Sequence, residues 1–431
     1  MITAKHRLPE LELIDHKFQV PLDYQNPNGD RIEIFAREVR TSNRDCSGLP
    51  WLLFLQGGPG FSSPRILDNR GKWWTRAARD FRILLLDQRG TGLSTAVNHQ
   101  TLAKLGSPEA QAHYLKLFRA DSIVRDAELL RKQLAGKDEK WSALGQSYGG
   151  FCCATYLSIA PEGLREAIFT GGIPPLTRTI DDVYRATYKR VLDKNGAYYA
   201  RYPDDRGRAR EIVDHLTRNE VRLPNGDRLS PRKFQQAGIG FGMSTGFEEL
   251  HYLLEIAFVS GARGKELNYA FLRGFENLTS FDTNPIYSLL HEPIYCERNA
   301  SGWSAERVLH EYPEFDPISS EQVFFTGEMV YPWLFDESPV LAPLKPAAEI
   351  LAKFSDWPEL YDLKILQSNS VPAAAAVYYN DMYVERQFSE EAARNIHGIK
   401  LWVTNEYEHN GLRSDGEKIL DRLLKMLRDD I

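Results

Sequence analysis

The stretch Gly145-Gln146-Ser147-Tyr148-Gly149 decides the fold, and it reads Gly-X-Ser-X-Gly. A short apolar run ending at Leu144 precedes it, and a run of mostly small and apolar residues follows over 149–159. This pattern predicts a strand, a tight turn and a helix, with the serine hydroxyl beside the positively polarised start of the helix. Glycines on both flanks avoid the collisions that larger side chains would make in such a turn. The pattern therefore indicates that Ser147 is a nucleophile.

Two upstream segments repeat the alternation of strand and glycine-rich turn. The apolar run Trp51–Leu55 leads into Gln56-Gly57-Gly58-Pro59-Gly60, and the run 81–86 leads into Asp87-Gln88-Arg89-Gly90-Thr91-Gly92-Leu93-Ser94. Both runs are typical of buried parallel strands. An amphipathic helix follows, with one apolar face formed by Ile123, Ala127, Leu130 and Leu134, and with Asp121 or Ser122 as its expected cap.

This order of elements predicts the α/β-hydrolase fold, a mostly parallel sheet with helices on both faces. In that fold the oxyanion hole is formed by backbone N–H groups. One comes from the residue after the nucleophile, here Tyr148, and the other from the loop after an earlier strand, here Gly57 or Gly58.

Chain order in this fold places the acid after the serine and the histidine last. The run 400–404 is typical of a final strand, and His409 lies in the loop after it. His397 precedes that strand and would lie at the opposite end of the sheet. We therefore expect His409 to be the base. Ser414 and Glu417 match a capping box that would begin the last helix.

The acid is expected one strand earlier. The run Val371–Tyr379 is apolar and rich in small residues, and Asp381 follows it. A carboxylate at this position can accept the imidazole N–H and stabilise the imidazolium. Asp356 and Asp362 precede the strand, which disfavours both. The predicted catalytic set is Ser147, Asp381 and His409.

Composition excludes several other classes of protein. The 431 residues carry a net charge of −6, which gives no basic surface for nucleic acid. No apolar run approaches the length needed to span a bilayer, and residues 1–10 lack the apolar core of a secretory signal. The four cysteines have no metal-like spacing and fit core thiols in a reducing cytoplasm. We expect no metal, no cofactor and no membrane partner, and either a monomer or a homo-oligomer.

Several motifs together resemble the proline iminopeptidases, also called prolyl aminopeptidases. These motifs are QGGPG, DQRGTGLS, GQSYGGF and EYEHNGLR. The longer bacterial and fungal branch of this family also has stretches similar to FEELHYLLE (247–255), LLHEPIYCE (289–297), GEMVYPW (327–333) and YYNDMYV (378–384). The resemblance runs from about residue 15 to the C-terminus. One departure is Gln56, because the family commonly has histidine before GGPG.

The resemblance implies three regions and a substrate. They are a first core part over 1–174, a helical cap over 175–325 inserted after the sixth core strand, and a second core part over 326–431. It also implies a serine aminopeptidase that releases N-terminal proline from peptides through an acyl-enzyme. Glutamates of the cap would bind the protonated amino terminus. Glu292 is the first choice and Glu255 the second, while Glu248 and Glu249 stay open.

Other functions remain open at this point. An esterase or lactonase would use the same three catalytic residues. An epoxide hydrolase is disfavoured, because those enzymes carry an aspartate nucleophile and this turn carries serine. A ligand receptor without catalytic activity would more naturally lack part of the catalytic set.

Overall fold

The computed structural model describes residues 1–68, 71–262, 264–278 and 281–431. Within these residues one large sheet and one small hairpin contain all the strands. The strands are β1 (Ile2–Leu8), β2 (Leu11–Pro21), β3 (Arg31–Thr41), β4 (Trp51–Leu55), β5 (Arg82–Asp87), β6 (Trp141–Gln146), β7 (Leu164–Thr170), β8 (Phe258–Gly261), β9 (Gly264–Leu267), β10 (Ala373–Tyr378) and β11 (Ile399–Thr404).

The large sheet has the order β1-β2-β3-β5-β4-β6-β7-β10-β11. Strands β1, β2 and β3 form an antiparallel edge, and β3 pairs with β5 in the same sense. From β5 to β11 every pairing is parallel. The predicted parallel sheet is confirmed. Its carboxyl edge brings together the loops that follow β4, β6, β10 and β11.

Helices cover both faces of this sheet. Before β7 they are α1 (Trp73–Ala77), α2 (His99–Ala103), α3 (Pro108–Leu115), α4 (Ala120–Leu134) and α5 (Tyr148–Ile159). Between β7 and β10 they are α6 (Ile180–Arg201), α7 (Asp205–Arg218), α8 (Pro231–Gln235), α9 (Gly246–Glu255), α10 (Tyr269–Glu276), α11 (Pro285–Leu290), α12 (Ser304–Leu309), α13 (Leu334–Glu337), α14 (Lys345–Lys353) and α15 (Leu363–Gln367). After β10 they are α16 (Arg386–Arg394), α17 (Gly411–Ser414) and α18 (Gly416–Leu427).

Alternating side chains of the central strands divide the core in two. In β4, Leu53 and Leu55 join the larger cluster with α4, α5 and much of the chain between β7 and β10. Leu52 and Phe54 point to the other face and join a smaller cluster with α1 and α18. Since successive strand residues face opposite sides, a strand buried on both faces must be apolar throughout, as β4 is.

The chain leaves the large sheet at Thr170 and returns to it at Ala373. The range 175–325, where the cap was expected, lies inside this excursion, although residues 263, 279 and 280 of that range lie outside the described residues. The excursion also includes α13, α14 and α15, and α14 packs against α3. Among the helices of the described residues, none has the length and apolar character that crossing a membrane requires.

Two expected helix starts are wrong. Helix α4 begins at Ala120, so Asp121 and Ser122 lie inside its first turn rather than at its cap. Helix α18 begins at Gly416, after Asp415, and Ser414 does not cap it. The short helix α17 takes up Ser414, whose hydroxyl donates to the Gly411 carbonyl at 3.0 Å. The capping-box pattern was misleading because this extra turn lies between the loop and the last helix.

Candidate active site

Ser147 occupies the turn between β6 and α5. Its backbone has φ 56° and ψ −122°, a left-handed region that a residue with a side chain rarely adopts. Such strain persists only where the surrounding structure holds it, and it is concentrated at functional sites. The β6 strand and the α5 helix, both buried, supply that support on either side. The turn presents the serine side chain at the carboxyl edge of the sheet.

The flanking glycines are required by direct contact. A Cβ atom on Gly145 would lie 2.2 Å from the carbonyl oxygen of Gly149. A Cβ atom on Gly149 would lie 2.0 Å from the carbonyl oxygen of Leu55, at the end of β4. Both distances are far below van der Waals contact, and backbone atoms cannot move aside as a flexible side chain can. The two glycines therefore allow β4, β6 and α5 to approach closely at the serine.

His409 and Asp381 form a buried pair. The Nδ1 atom of His409 lies 2.7 Å from Oδ2 of Asp381, and the two residues are 6% and 2% exposed. The other carboxylate oxygen of Asp381 accepts the backbone N–H groups of Tyr383 at 2.8 Å and Val384 at 3.1 Å. A fixed carboxylate at Nδ1 favours the tautomer with the proton on Nδ1 and leaves Nε2 able to accept a proton.

The backbone of the histidine loop is also fixed. The N–H of His409 donates to the carbonyl of Gly242 at 3.1 Å, and its carbonyl accepts from the side-chain amide of Gln146 at 3.2 Å. The side chain of Asn410 forms two hydrogen bonds with Ser244. Its oxygen accepts the Ser244 backbone N–H at 3.1 Å, and its NH₂ group donates to the Ser244 hydroxyl at 3.0 Å. The segment 242–244 belongs to the excursion between β7 and β10. That excursion therefore helps to hold the imidazole in place.

Electrostatic surroundings raise the pKa of His409 above its ordinary value. Burial acts in the opposite direction and lowers it, since an apolar surrounding disfavours the imidazolium. The charge and hydrogen bond of Asp381 and the charge of Glu328 raise the pKa, and together they outweigh burial. The Arg413 guanidinium lowers the pKa. His409 is therefore an imidazole suited to take up a proton.

A cavity of about 390 Å³ brings Ser147 and His409 together. Both side chains line it, while Asp381 lies behind the imidazole. Among the described residues no direct hydrogen bond joins the serine hydroxyl to the imidazole; such bonds are often long before a substrate is bound. A serine hydroxyl, an imidazole and a carboxylate that orients it, together at one cavity, are the groups that acyl transfer needs.

The predicted oxyanion donors lie around the same serine. A Cβ atom on Gly57 would be 3.0 Å from Cβ of Ser147, so this loop passes directly beside the nucleophile. Gly57 and Gly58 both line the cavity. Tyr148 is the first residue of α5, and its N–H has no acceptor within the helix. The backbone carbonyl of Gln56 accepts a hydrogen bond from the Gln88 side chain at 3.0 Å. This bond holds the loop through its backbone, so it does not depend on having glutamine or the family's common histidine at position 56.

The structure does not bring the two preferred glutamates into this cavity. Glu292 is 3% exposed, and its Oε1 accepts the backbone N–H of Ala305 at 2.9 Å. Burial raises the pKa of its carboxyl, and the Ala305 hydrogen bond opposes that effect. Glu255 is at the end of α9 with a side chain 44% exposed, 3.5 Å from Nε2 of His251. The folding of the excursion turns both side chains away from this cavity, and neither of them lines it.

Two other glutamates line the cavity. Glu328 accepts a hydrogen bond at 2.6 Å from the Tyr287 hydroxyl, and Glu249 accepts one at 2.6 Å from Thr245. Glu248, the neighbour of Glu249, turns away and pairs with Arg201 at 2.6 Å. Sequence reasoning left Glu249 open and missed Glu328. The sequence signal that could have identified Glu328 is the motif GEMVYPW, which contains this residue at its second position.

Aromatic rings form much of the remaining wall. Tyr287 packs edge-on to Phe61, with ring centroids 5.3 Å apart, and stacks on Phe281 at 5.6 Å. The ring of Tyr383 lies 4.6 Å from the His409 ring. These four aromatic residues line the cavity. The side chain of Tyr148 is buried against Phe151 instead and lies outside this set.

The chain is similar to known proteins over nearly its whole length. Residues 50–260 match a family model described as the alpha/beta hydrolase fold. A proline iminopeptidase of Aeromonas sobria is 52% identical over 415 residues, which cover 96% of each chain. The proline iminopeptidase aneH of Aspergillus aculeatus is 35% identical over 423 residues, covering 96% of this chain and 93% of that one. A solved proline iminopeptidase structure from Mycobacterium smegmatis is 13% identical, with a TM-score of 0.45 over 96% of this chain and 98% of that one.

Proposed function

The chain belongs to the proline iminopeptidase family of the α/β-hydrolases, and on that premise we propose that it is a serine aminopeptidase that releases N-terminal proline from peptides. The observation that carries this proposal is the composition of one cavity. Ser147, His409, two carboxylates and four aromatic rings all face it. A nucleophile beside an anionic, aromatic-walled pocket suits a substrate with a compact apolar ring and a positive charge.

In the proposed reaction Ser147 attacks the carbonyl carbon of the N-terminal residue while Nε2 of His409 takes the hydroxyl proton. Asp381 holds the imidazole and stabilises its positive charge through the 2.7 Å contact at Nδ1. Backbone N–H groups of Tyr148 and of Gly57 or Gly58 stabilise the oxyanion. His409 then gives the proton to the departing amine. Water attacks the acyl-enzyme with His409 again as base, which releases proline and restores the serine.

Glu328 and Glu249 are proposed to bind the protonated amino terminus. An ammonium group removed from water without a partner costs several kcal/mol, so a site for a free amino terminus needs carboxylates. Glu328 is held by the Tyr287 hydroxyl, and Glu249 approaches from α9. The charge of Glu328 also acts on the His409 pKa, which indicates that this carboxylate is close to the reacting groups. This proposal replaces the earlier choice of Glu292 and Glu255.

The four aromatic rings are proposed to form the proline slot. The three methylene groups of the pyrrolidine ring are compact and apolar, and aromatic walls exclude water around such groups. The range 175–325 is proposed as the cap that closes the cavity beyond the first residue of the substrate. It carries Tyr287, Phe281 and Glu249, which supports its role in substrate selection.

A cytoplasmic location is proposed from the cysteines. All four are buried and unpaired, including the neighbours Cys152 and Cys153 in α5. Free thiols persist in a reducing compartment, whereas an oxidising one favours disulfides.

The test is hydrolysis of reporter amides of proline, alanine, leucine and N-acetylproline. The proposal predicts fast release from proline and little release from N-acetylproline, whose nitrogen carries no charge. Equal turnover of the two proline compounds would overturn binding of the amino terminus. Inactivity on every amide, together with turnover of simple esters, would favour the esterase or lactonase alternative.

A further inference from the structure

A second cavity, of about 450 Å³, adjoins the one that contains Ser147 and His409. The two cavities share four wall residues: Gln56, Phe61, Gln146 and Arg413. A volume of this size is ample for an amino-acid side chain and lies within the range of small-molecule sites. The proposed mechanism uses only the first cavity, so the second has no assigned role.

The walls of the second cavity combine aromatic surface with positively charged side chains. Trp73, Trp74 and Phe61 supply aromatic surface, while Lys72 and Arg413 supply cations. Among the described residues that line it, there is no aspartate or glutamate. Neither Lys72 nor Arg413 forms an ion pair with any part of the chain that the structure describes. The described lining of the second cavity therefore offers no carboxylate to balance its positive charge, whereas the lining of the first cavity includes two.

Arg413 is placed close to the reacting groups. It follows His409 by four residues, on α17, and its charge lowers the pKa of both His409 and Tyr383. His409 is the group that protonates the departing amine in the proposed reaction. The residue that leaves therefore lies near His409, and Arg413 lines both the cavity of His409 and the second cavity.

We propose that the second cavity binds the leaving residue and that Arg413 binds its α-carboxylate, which makes dipeptides with N-terminal proline the preferred substrates. In a dipeptide the carboxylate lies two bonds beyond the nitrogen that His409 protonates, so both groups act on one residue. An arginine fork matches a carboxylate in two parallel hydrogen bonds. Lys72, which lines the second cavity and not the first, adds positive charge there. This inference rests on the proposed function.

The experiment compares kcat/KM for prolyl-leucine and prolyl-leucine amide, which differ only at the carboxylate. In the wild-type enzyme we expect the acid to be favoured roughly 10- to 100-fold, as for other hydrogen bonds to charged groups. Arg413→Met should reduce this ratio to near one. Any effect of the variant on the His409 pKa acts on both substrates and cancels in the ratio. Arg413→Lys should keep part of the preference, and Lys72→Met should reduce it less than Arg413→Met.

Arg218→Met is the matched control. Arg218 is exposed, at the end of α7, and removing its charge leaves both cavities unchanged, so the wild-type ratio should persist. A wild-type ratio near one, or an unchanged ratio in Arg413→Met, would overturn the inference while hydrolysis of prolyl-leucine amide still supports the proposed function. If neither compound and no prolyl reporter is hydrolysed, the proposed function itself fails. If Arg413→Met does not fold, the wild-type ratio and the Arg413→Lys ratio test the inference. A clear wild-type preference for the acid that is partly lost in Arg413→Lys supports it, and an unchanged ratio in Arg413→Lys overturns it.

Discussion

The carboxyl edge of the sheet and the excursion between β7 and β10 position their functional side chains in different ways. Ser147, Asp381 and His409 each follow a parallel strand, and parallel strands bring their following loops to one edge. Glu249 and Glu328 instead come from a helix and from a segment without regular structure, about 80 residues apart in the chain. Sequence order therefore identifies residues at strand ends, whereas it does not identify those that helix packing brings together.

The largest effect is expected at the sheet edge. Ser147→Ala removes the proposed nucleophile, and kcat for a prolyl reporter amide should fall by roughly four to six orders of magnitude. The fold should be retained, because an alanine side chain fits the same turn. Steady-state kinetics with a thermal unfolding scan would check both. Activity within tenfold of the wild type would show that the sheet edge does not carry the chemistry.

An intermediate effect is expected in the excursion, where two glutamates give a matched pair. Glu328→Gln should lower kcat/KM for a prolyl amide by roughly 100-fold, because the ammonium loses a half-buried charge partner. Glu292→Gln should leave it within about twofold, since that side chain is buried against Ala305 and lies outside the cavity. In both variants glutamine keeps the size and shape of the glutamate side chain and removes the negative charge of the carboxylate. A larger loss in Glu292→Gln would reverse the assignment of the amino-terminus site.

The smallest effect is a shift in pH dependence, which measures how the two regions are coupled. His409 must be neutral to act as the base, so kcat/KM rises with pH as the imidazolium loses its proton. The raised pKa of His409 moves this rising limb of the pH profile to higher pH. Glu328→Gln removes a negative charge that favours the imidazolium, so the limb should move to lower pH. Arg413→Met removes a positive charge and should move it to higher pH.

An uncharged ester is the substrate for this measurement, because it removes the contribution of amine binding. Shifts of opposite sign in the two variants would show that both charges act on His409. Shifts of the same sign would contradict the electrostatic account and indicate a change in loop conformation instead.

The parts that sequence predicted are those set by local patterns and by strand order. Ser147 was evident from its flanking glycines. A Cβ atom on one of them, Gly149, would lie 2.0 Å from the carbonyl oxygen of Leu55 in another strand. Asp381 was chosen over Asp356 and Asp362 because it follows a strand rather than precedes it, and its carboxylate does contact the His409 ring. The large sheet was expected from the same apolar runs.

The parts that sequence missed depend on packing over long separations. Glu292 and Glu328 both lie in motifs of the family, yet one binds Ala305 and the other lines the cavity. No periodicity distinguishes them, because both belong to short or irregular segments whose orientation is set by distant contacts. The capping-box pattern at Ser414 failed for a related reason, since α17 occupies the position expected for a helix start.

The hydrogen bond from the His409 N–H to the Gly242 carbonyl has a consequence for protein engineering. Exchanging the segment between β7 and β10 for that of another hydrolase is an obvious route to a new specificity. Such a chimera would also replace the acceptor of His409 and the Ser244 partner of Asn410. The graft would then alter turnover along with substrate choice, unless the donor segment supplies the same two anchors. Residues 242–244 are therefore best treated as part of the recipient scaffold, with the exchange beginning beyond them.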